Sequence, residues 1–175
     1  LIKNIKSKKH IISFSGKFYK NIKKKNTVFK LLEILDKKKL LNDKKFKIII
    51  NKQIPSKAGL GGGSMNAGSI LNYFVKKNII KISKKTIIAI SKSIGSDVIL
   101  GLNFTNSILT STNKIKLFRK SKIFYVLIVK PNFGCSTKKI YDKVKKFNKP
   151  KIRKPSKKMF DLNYLKKMDN SLEQI

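Results

Sequence analysis

Ile54-Pro55-Ser56-Lys57-Ala58-Gly59-Leu60-Gly61-Gly62-Gly63-Ser64-Met65-Asn66-Ala67 is the stretch on which the reading of the whole chain depends. Four of the chain's nine glycines fall within positions 59–63. The run ahead of it, Phe46 to Asn51, alternates like a strand, and the run after it places Ile70, Leu71, Phe74 and Val75 on one helical face. Strand, glycine loop, helix is an order that surrounds a phosphate with backbone N–H groups. Glycine lets the backbone approach an anion, and the helix adds its unpaired first-turn N–H groups and its positive dipole end. Ser64 stands where the helix is expected to begin. It can cap that helix, touch a phosphate, or touch a magnesium ion held by the phosphates. The plain alternative is a flexible surface turn. No Lys-Ser or Lys-Thr pair closes the stretch, so it is not a P-loop. Gly59-Leu60-Gly61 opens like the dinucleotide fingerprint, but Ser64 takes the last position, and no acidic residue follows about twenty residues on.

Upstream, Ile11-Ile12-Ser13-Phe14 predicts a short strand ended by Gly16, after a basic stretch over residues 1–9. Asn26 and Thr27 are N-cap types, and Val28, Leu31, Leu32 and Leu35 mark one buried helical stripe behind them. Asn42-Asp43 is a turn signal before the strand that enters the glycine loop. Downstream, Asn78 ends the helix after Ser64. Ser83 caps the next helix, with the stripe Ile87, Ile88, Ile94, and Gly95 is placed as its left-handed C-terminal residue. Ser96-Asp97-Val98 is read as loop. Short strands are expected near 107–111 and 114–118. Ile123 to Val129 reads as a buried strand, Ser136 or Thr137 as a helix cap, and a last helix should start near Asp161 with Leu162, Leu165 and Met168.

The net charge is +35, from 43 Lys plus Arg against 8 Asp plus Glu. Such a charge suggests nucleic acid. Against this, only Arg119 and Arg153 are Arg, and the lysines run along the whole chain instead of clustering. An A/T-rich coding sequence explains that bias without a function, and a basic nucleic-acid-binding module remains as the rival class. Cys135 and His10 are single, so no intramolecular disulfide and no Cys/His metal site can form. A reducing cytoplasm fits. No apolar run reaches the roughly 20 residues of a membrane span, and no signal peptide is visible. The chain begins with Leu and ends in Ser171-Leu172-Glu173-Gln174-Ile175, which suggests an internal segment of a longer protein.

Asp97 is the acidic residue to single out: it follows a helix end beside Gly95 and Ser96, and a carboxylate near a bound triphosphate can take the proton of an attacking hydroxyl. A turn or capping aspartate is the plain reading.

These residues resemble a family. The form Lys52-x-Ile54-Pro55-x-x-Ala58-Gly59-Leu60-Gly61-Gly62-Gly63-Ser64-x-Asn66-Ala67 is similar to the phosphate motif of the galactokinase, homoserine kinase, mevalonate kinase and phosphomevalonate kinase (GHMP) superfamily, in its triple-glycine version. Ile94-Gly95-Ser96-Asp97-Val98 resembles its Leu-Gly-Ala-Asp-Val segment, and Asn26-Thr27-Val28 its segment before the first helix. Val129-Lys130-Pro131-Asn132-Phe133-Gly134-Cys135-Ser136-Thr137 resembles a strand-turn ending Val-Ser-Thr. Met65 departs from the family, which usually has a second Ser there. No matching motif surrounds Lys3, Lys6, Lys8 or Lys9, so none takes the family's catalytic-lysine role.

The resemblance implies an α+β fold. Residues 1–118 would be most of a ribosomal-S5-like ATP-binding domain, and 119–175 the start of a truncated ferredoxin-like domain. It implies a small-molecule kinase that uses ATP and Mg2+ to phosphorylate the 2-hydroxyl of 4-diphosphocytidyl-2-C-methyl-D-erythritol, in non-mevalonate isoprenoid synthesis. Another small-metabolite kinase of the superfamily is the alternative. By the same resemblance Asp97 is the catalytic base. Ala58, Gly59, Leu60, Gly61, Gly62, Gly63 and Ser64 hold the ATP phosphates, Asn26 and Lys52 lie in the nucleotide pocket, and Thr137 contacts the substrate. Beyond Ser64 no protein ligand for a metal is implied. The expected partner is a small molecule, with no specific nucleic acid and no membrane. The segment alone is expected to be inactive.

Overall fold

Seven residues of alternating character, Lys45–Asn51, form strand β3 at the centre of a three-stranded sheet in the computed structural model, which describes residues 1–110, 112, 114–119, 123–129, 140–144 and 154–168. Phe46 and Ile48 point into the core, while Lys47 between them is exposed, as a half-buried strand requires. Strand β2, Ile11–Ser15, runs parallel to β3, with Ile12 opposite Ile48 and Ser15 opposite Asn51. Helix α1, Thr27–Lys37, connects them, since a parallel pair needs a crossover. Strand β1, Ile2–Ile5, lies antiparallel on the other edge of β3, inside what the sequence presents only as a basic stretch. Its lysine is exposed, and Ile2 packs against the core.

His10 fastens this sheet at its start. Its Nδ1 accepts the Phe46 N–H at 3.0 Å, so the ring proton sits on Nε2 and is donated to Asp36 Oδ2 at 3.1 Å. Lys45 Nζ donates to the same oxygen at 2.8 Å.

The core is built from α1 (Val28, Leu31, Leu32, Leu35), β3 and helix α2, Gly62–Lys76, which contributes Ala67, Ile70, Leu71 and Phe74. Phe46 and Phe74 meet with ring centroids 4.8 Å apart. Helix α3, Lys84–Ile94, starts at the Ser83 cap, whose hydroxyl accepts the Thr86 N–H. Its buried residues are Ile90, Ser91 and Ile94, and Ile87 packs against the core, so of the expected stripe Ile87 and Ile94 face inward and Ile88 does not join them. Ser91 lies inside at little cost because its hydroxyl donates to Ile87 O at 2.9 Å.

Two expectations change here. Gly95 is extended, with φ 176, and is not left-handed. Ser96-Asp97-Val98 is not loop: Ser96–Leu102 is a 3-10 helix whose Val98 and Ile99 are buried. The apolar pair has to face the core, and a tight helix achieves this directly after α3.

These elements belong to one compact unit, Leu1–Ser56 with Leu60–Asn103; Lys57–Gly59 and Phe104–Ile175 make the second. In the second, β4 (Asn106–Leu109) and β5 (Ile115–Phe118) pair antiparallel, close to the expected positions. The expected buried strand over 123–129 is overturned. The run forms no strand, and Tyr125 is 99% and Leu127 89% exposed. β-Propensity measures fit to a pleated, half-buried surface, and no described strand pairs with this run. The last helix is short, Leu162–Leu165, capped by Asp161, whose Oδ1 accepts the Asn163 N–H. Ser136 falls outside the described residues. Among those described, no helix is long and apolar enough to cross a membrane.

Candidate functional site

Lys52 follows β3 directly. Its backbone is clasped on both sides, as Lys52 N donates to Ser15 O at 2.7 Å and Lys52 O accepts from Phe18 N at 3.0 Å. Gly16 makes the clasp possible. Its φ is +90, and a methyl there would run into Asn51 Oδ1 and stand 2.8 Å from Lys52 O. Gly16→Ala is therefore expected to cost about 1–3 kcal/mol, read as a lower midpoint in chemical denaturation. An unchanged midpoint would show that the turn relaxes freely.

The clasp holds an unusual lysine. Lys52 is 7% exposed and is the buried lysine among the described residues, where a strand-end lysine would ordinarily be solvated. Its ammonium has no hydrogen bond and no ion pair among those residues. It stands 3.2 Å from where a Cβ on Gly62 would lie. The buried stem thus delivers the ammonium to the first turn of α2, where an anion can meet it.

Gly62 opens α2, two residues earlier than expected. The residue before it, Gly61, is the N-cap, with φ 63 and ψ 9, and it brings no side chain to cap the first turn. Nothing lies within 4 Å of a Cβ at Gly61, so the left-handed backbone is what selects glycine there. The first hydrogen bond back into the cap is Met65 N to Gly61 O at 2.9 Å, which leaves the N–H groups of the opening turn for an acceptor from outside. The stretch is not a hairpin: β3 lies before it and α2 after it. Ala58 is partly buried, Leu60 is exposed, and Gly59 has φ 71.

Asn26 caps α1. Its Oδ1 accepts from Val28 N at 3.0 Å and Phe29 N at 3.1 Å, and its amide donates to Lys23 O and Lys24 O at 3.1 Å each. With the cap supplied by Asn26, Thr27 is free to reach across. Its hydroxyl donates to Gly63 O at 2.7 Å and ties α1 to the first turn of α2. In the sequence Thr27 stands out as a second cap type and as part of the Asn26-Thr27-Val28 segment; neither signal points to Gly63.

Asp97 lies exposed in the first turn of the 3-10 helix, its Oδ1 accepting the Ser96 hydroxyl at 3.1 Å. A Cβ on Gly95 would lie 4.0 Å from Ser64 Oγ, so the start of this helix sits beside the start of α2, although over thirty residues separate them. The structure thus brings Lys52, Gly61–Ser64, Thr27 and the Gly95–Asp97 segment into one region. Thr137 lies outside the described residues. Among those described, no group of three or more His, Cys, Asp or Glu could hold a metal ion.

Residues 26–105 match the GHMP kinases N terminal domain. The chain is 55% identical over 169 residues to the 4-diphosphocytidyl-2-C-methyl-D-erythritol kinase of Pelagibacter ubique (strain HTCC1062), covering 97% of this chain and 60% of that protein. The enzyme of the same name from Fusobacterium nucleatum subsp. nucleatum is 32% identical over 158 residues, 86% of this chain and 54% of the relative. That from Petrotoga mobilis is 35% identical over 119 residues, 68% and 46%. The chain thus spans roughly half the length of the curated relatives it matches. A crystal structure of 4-(cytidine 5'-diphospho)-2C-methyl-D-erythritol kinase superposes with a TM-score of 0.57 at 20% identity, over 82% of this chain and 50% of that one, a likeness of fold.

Proposed function

We propose that this chain, whose residues 26–105 match the GHMP kinases N terminal domain, belongs to a GHMP kinase that transfers the γ-phosphoryl group of ATP to the 2-hydroxyl of 4-diphosphocytidyl-2-C-methyl-D-erythritol. The observation that carries the reading is the Lys52 ammonium standing beside Gly62, at a helix start with no side-chain cap. That combination fits a polyphosphate. The relatives' names support the choice of acceptor.

In this reading the N–H groups of Gly61 to Ser64 and the Lys52 ammonium bind the phosphates, with Ala58, Gly59 and Leu60 leading the chain into the turn. Asn26 holds the edge of the nucleotide pocket by fixing the start of α1, and Thr27 locks that edge to Gly63. The Ser64 hydroxyl would be the protein group to meet Mg2+ carried on ATP, which would supply neutralisation of phosphate charge. Asp97 accepts the proton of the acceptor hydroxyl as the new O–P bond forms and the bond to the leaving ADP breaks. Thr137 contacts the acceptor. Phosphoryl transfer asks the protein mainly for positioning and charge stabilisation, and this set of residues offers both.

The test is an assay of the full-length protein that contains this segment with ATP, Mg2+ and the cytidine-linked substrate, reading the product by phosphorus NMR. A new monophosphate ester at the 2-position is expected. Turnover of homoserine or mevalonate with none of this substrate would move the protein to another branch of the superfamily. Salt-sensitive binding of polynucleotide, without ATP affinity, would favour the nucleic-acid class.

A further inference from the structure

Two glycines outside the phosphate loop meet where α2 crosses the 3-10 helix. A methyl on Gly101 would stand 2.9 Å from both Met65 Cα and Met65 O, and 3.2 Å from Gly68 Cα. A methyl on Gly68 would run into Val98 O and stand 2.8 Å from Gly101 Cα. All of these neighbours are backbone atoms, so none can swing aside. Neither glycine has a positive φ, so the requirement is close contact and not backbone freedom. Helix propensity favours Ala over Gly at position 68 by about 1 kcal/mol. The crossing opposes that preference, and overlap with a fixed backbone is the larger effect.

The crossing bears on the site because both elements lead to it. The 3-10 helix carries Asp97 in its first turn and Gly101 one turn later. Helix α2 begins at Gly62 and reaches Gly68 in its second turn. Val98 and Ile99, at 0% and 3% exposure, fix the rotation of the 3-10 helix, and the Ser69 hydroxyl donates to Gly101 O at 3.4 Å. How closely the two backbones approach therefore sets how far Asp97 stands from the start of α2.

We propose that Gly68 and Gly101 are positioning residues for Asp97, and that their backbone contact sets the gap between its carboxylate and the first turn of α2. The inference rests on the reading of Asp97 as the base. Alanine at either position holds the elements apart by on the order of 1 Å, the difference between these distances and ordinary carbon contact. A shift of about that size costs up to roughly 10²-fold in rate.

The experiment is a double-mutant cycle in the full-length protein, assayed with its proposed substrate. Gly101→Ala should lower kcat by about 10- to 100-fold and leave the Kd for a non-hydrolysable ATP analogue within about threefold. In the Asp97→Asn background, Gly101→Ala should lower kcat no further, because the group it displaces no longer acts. A folded Gly101→Ala protein with parental kcat, or losses that multiply in the double mutant, would overturn the proposal. Should Asp97→Asn itself keep parental kcat, the base reading is what fails. If Gly101→Ala does not fold, Ser69→Ala adds no atom and removes only the bond to Gly101 O. It should lower kcat by about two- to fivefold at unchanged ATP affinity, and a parental kcat there overturns the proposal equally.

Discussion

In the full-length protein, Asp97→Asn is expected to lower kcat by roughly 10²–10⁴, the range for loss of a general base, and to leave ATP affinity nearly unchanged. The substitution keeps the shape. The amide oxygen it introduces can still accept the Ser96 hydroxyl as Asp97 Oδ1 does now at 3.1 Å, and the side chain is exposed, so folding loses little. What disappears is the ability to take a proton. Lys52 and the first turn of α2 are untouched, which is why nucleotide binding should survive. The measurement is kcat at saturating substrates together with an ATP-analogue titration. A parental kcat would leave Asp97 as an acidic residue in the first turn of a short helix, favoured there by the dipole alone.

Lys52→Met should weaken ATP binding by about 10- to 100-fold, the equivalent of the roughly 1.5–3 kcal/mol carried by a hydrogen bond to a charged group. The same substitution should leave the Tm of the nucleotide-free protein nearly unchanged. Met fills much of the volume of a side chain that is 7% exposed, so the packing of the stem is kept. The contrast between affinity and stability is diagnostic. A lysine kept for packing would lose stability and leave affinity alone, and that outcome would end the phosphate assignment. Gly62→Ala acts through the same group. Its Cβ would stand 3.2 Å from Lys52 Nζ, the mobile end of a side chain, so its effect on ATP should be smaller than that of Lys52→Met.

Periodicity and caps carried much of the fold. The four apolar positions of α1 read from spacing, Val28, Leu31, Leu32 and Leu35, are all buried, and Asn26 and Ser83 cap the helices expected of them. These signals are local: a helix face repeats within the helix itself, and a cap satisfies N–H groups two and three residues away. Where burial depends on a neighbour, the local signal misled. The stripe of α3 takes in Ile90 and Ser91 in place of Ile88, and the run 123–129 is exposed and lies in no described strand. Likewise β1 is hidden in a basic stretch, since its pairing with β3 is decided about 40 residues away.

The candidate site divides along the same line. The strand-loop-helix order, the glycines and the capping types belong to the sequence alone, because each depends on what a residue's own backbone can adopt. That Lys52 is buried and without a partner among the described residues, that Thr27 locks Gly63, that Gly95 lies beside Ser64, and that two glycines set the crossing of α2 with the 3-10 helix were decided only by tertiary structure. Each of these is a contact between residues far apart in the chain, or the lack of one. A single sequence holds no signal for such a contact; it is settled when the apolar faces of α1, α2 and the 3-10 helix are buried together.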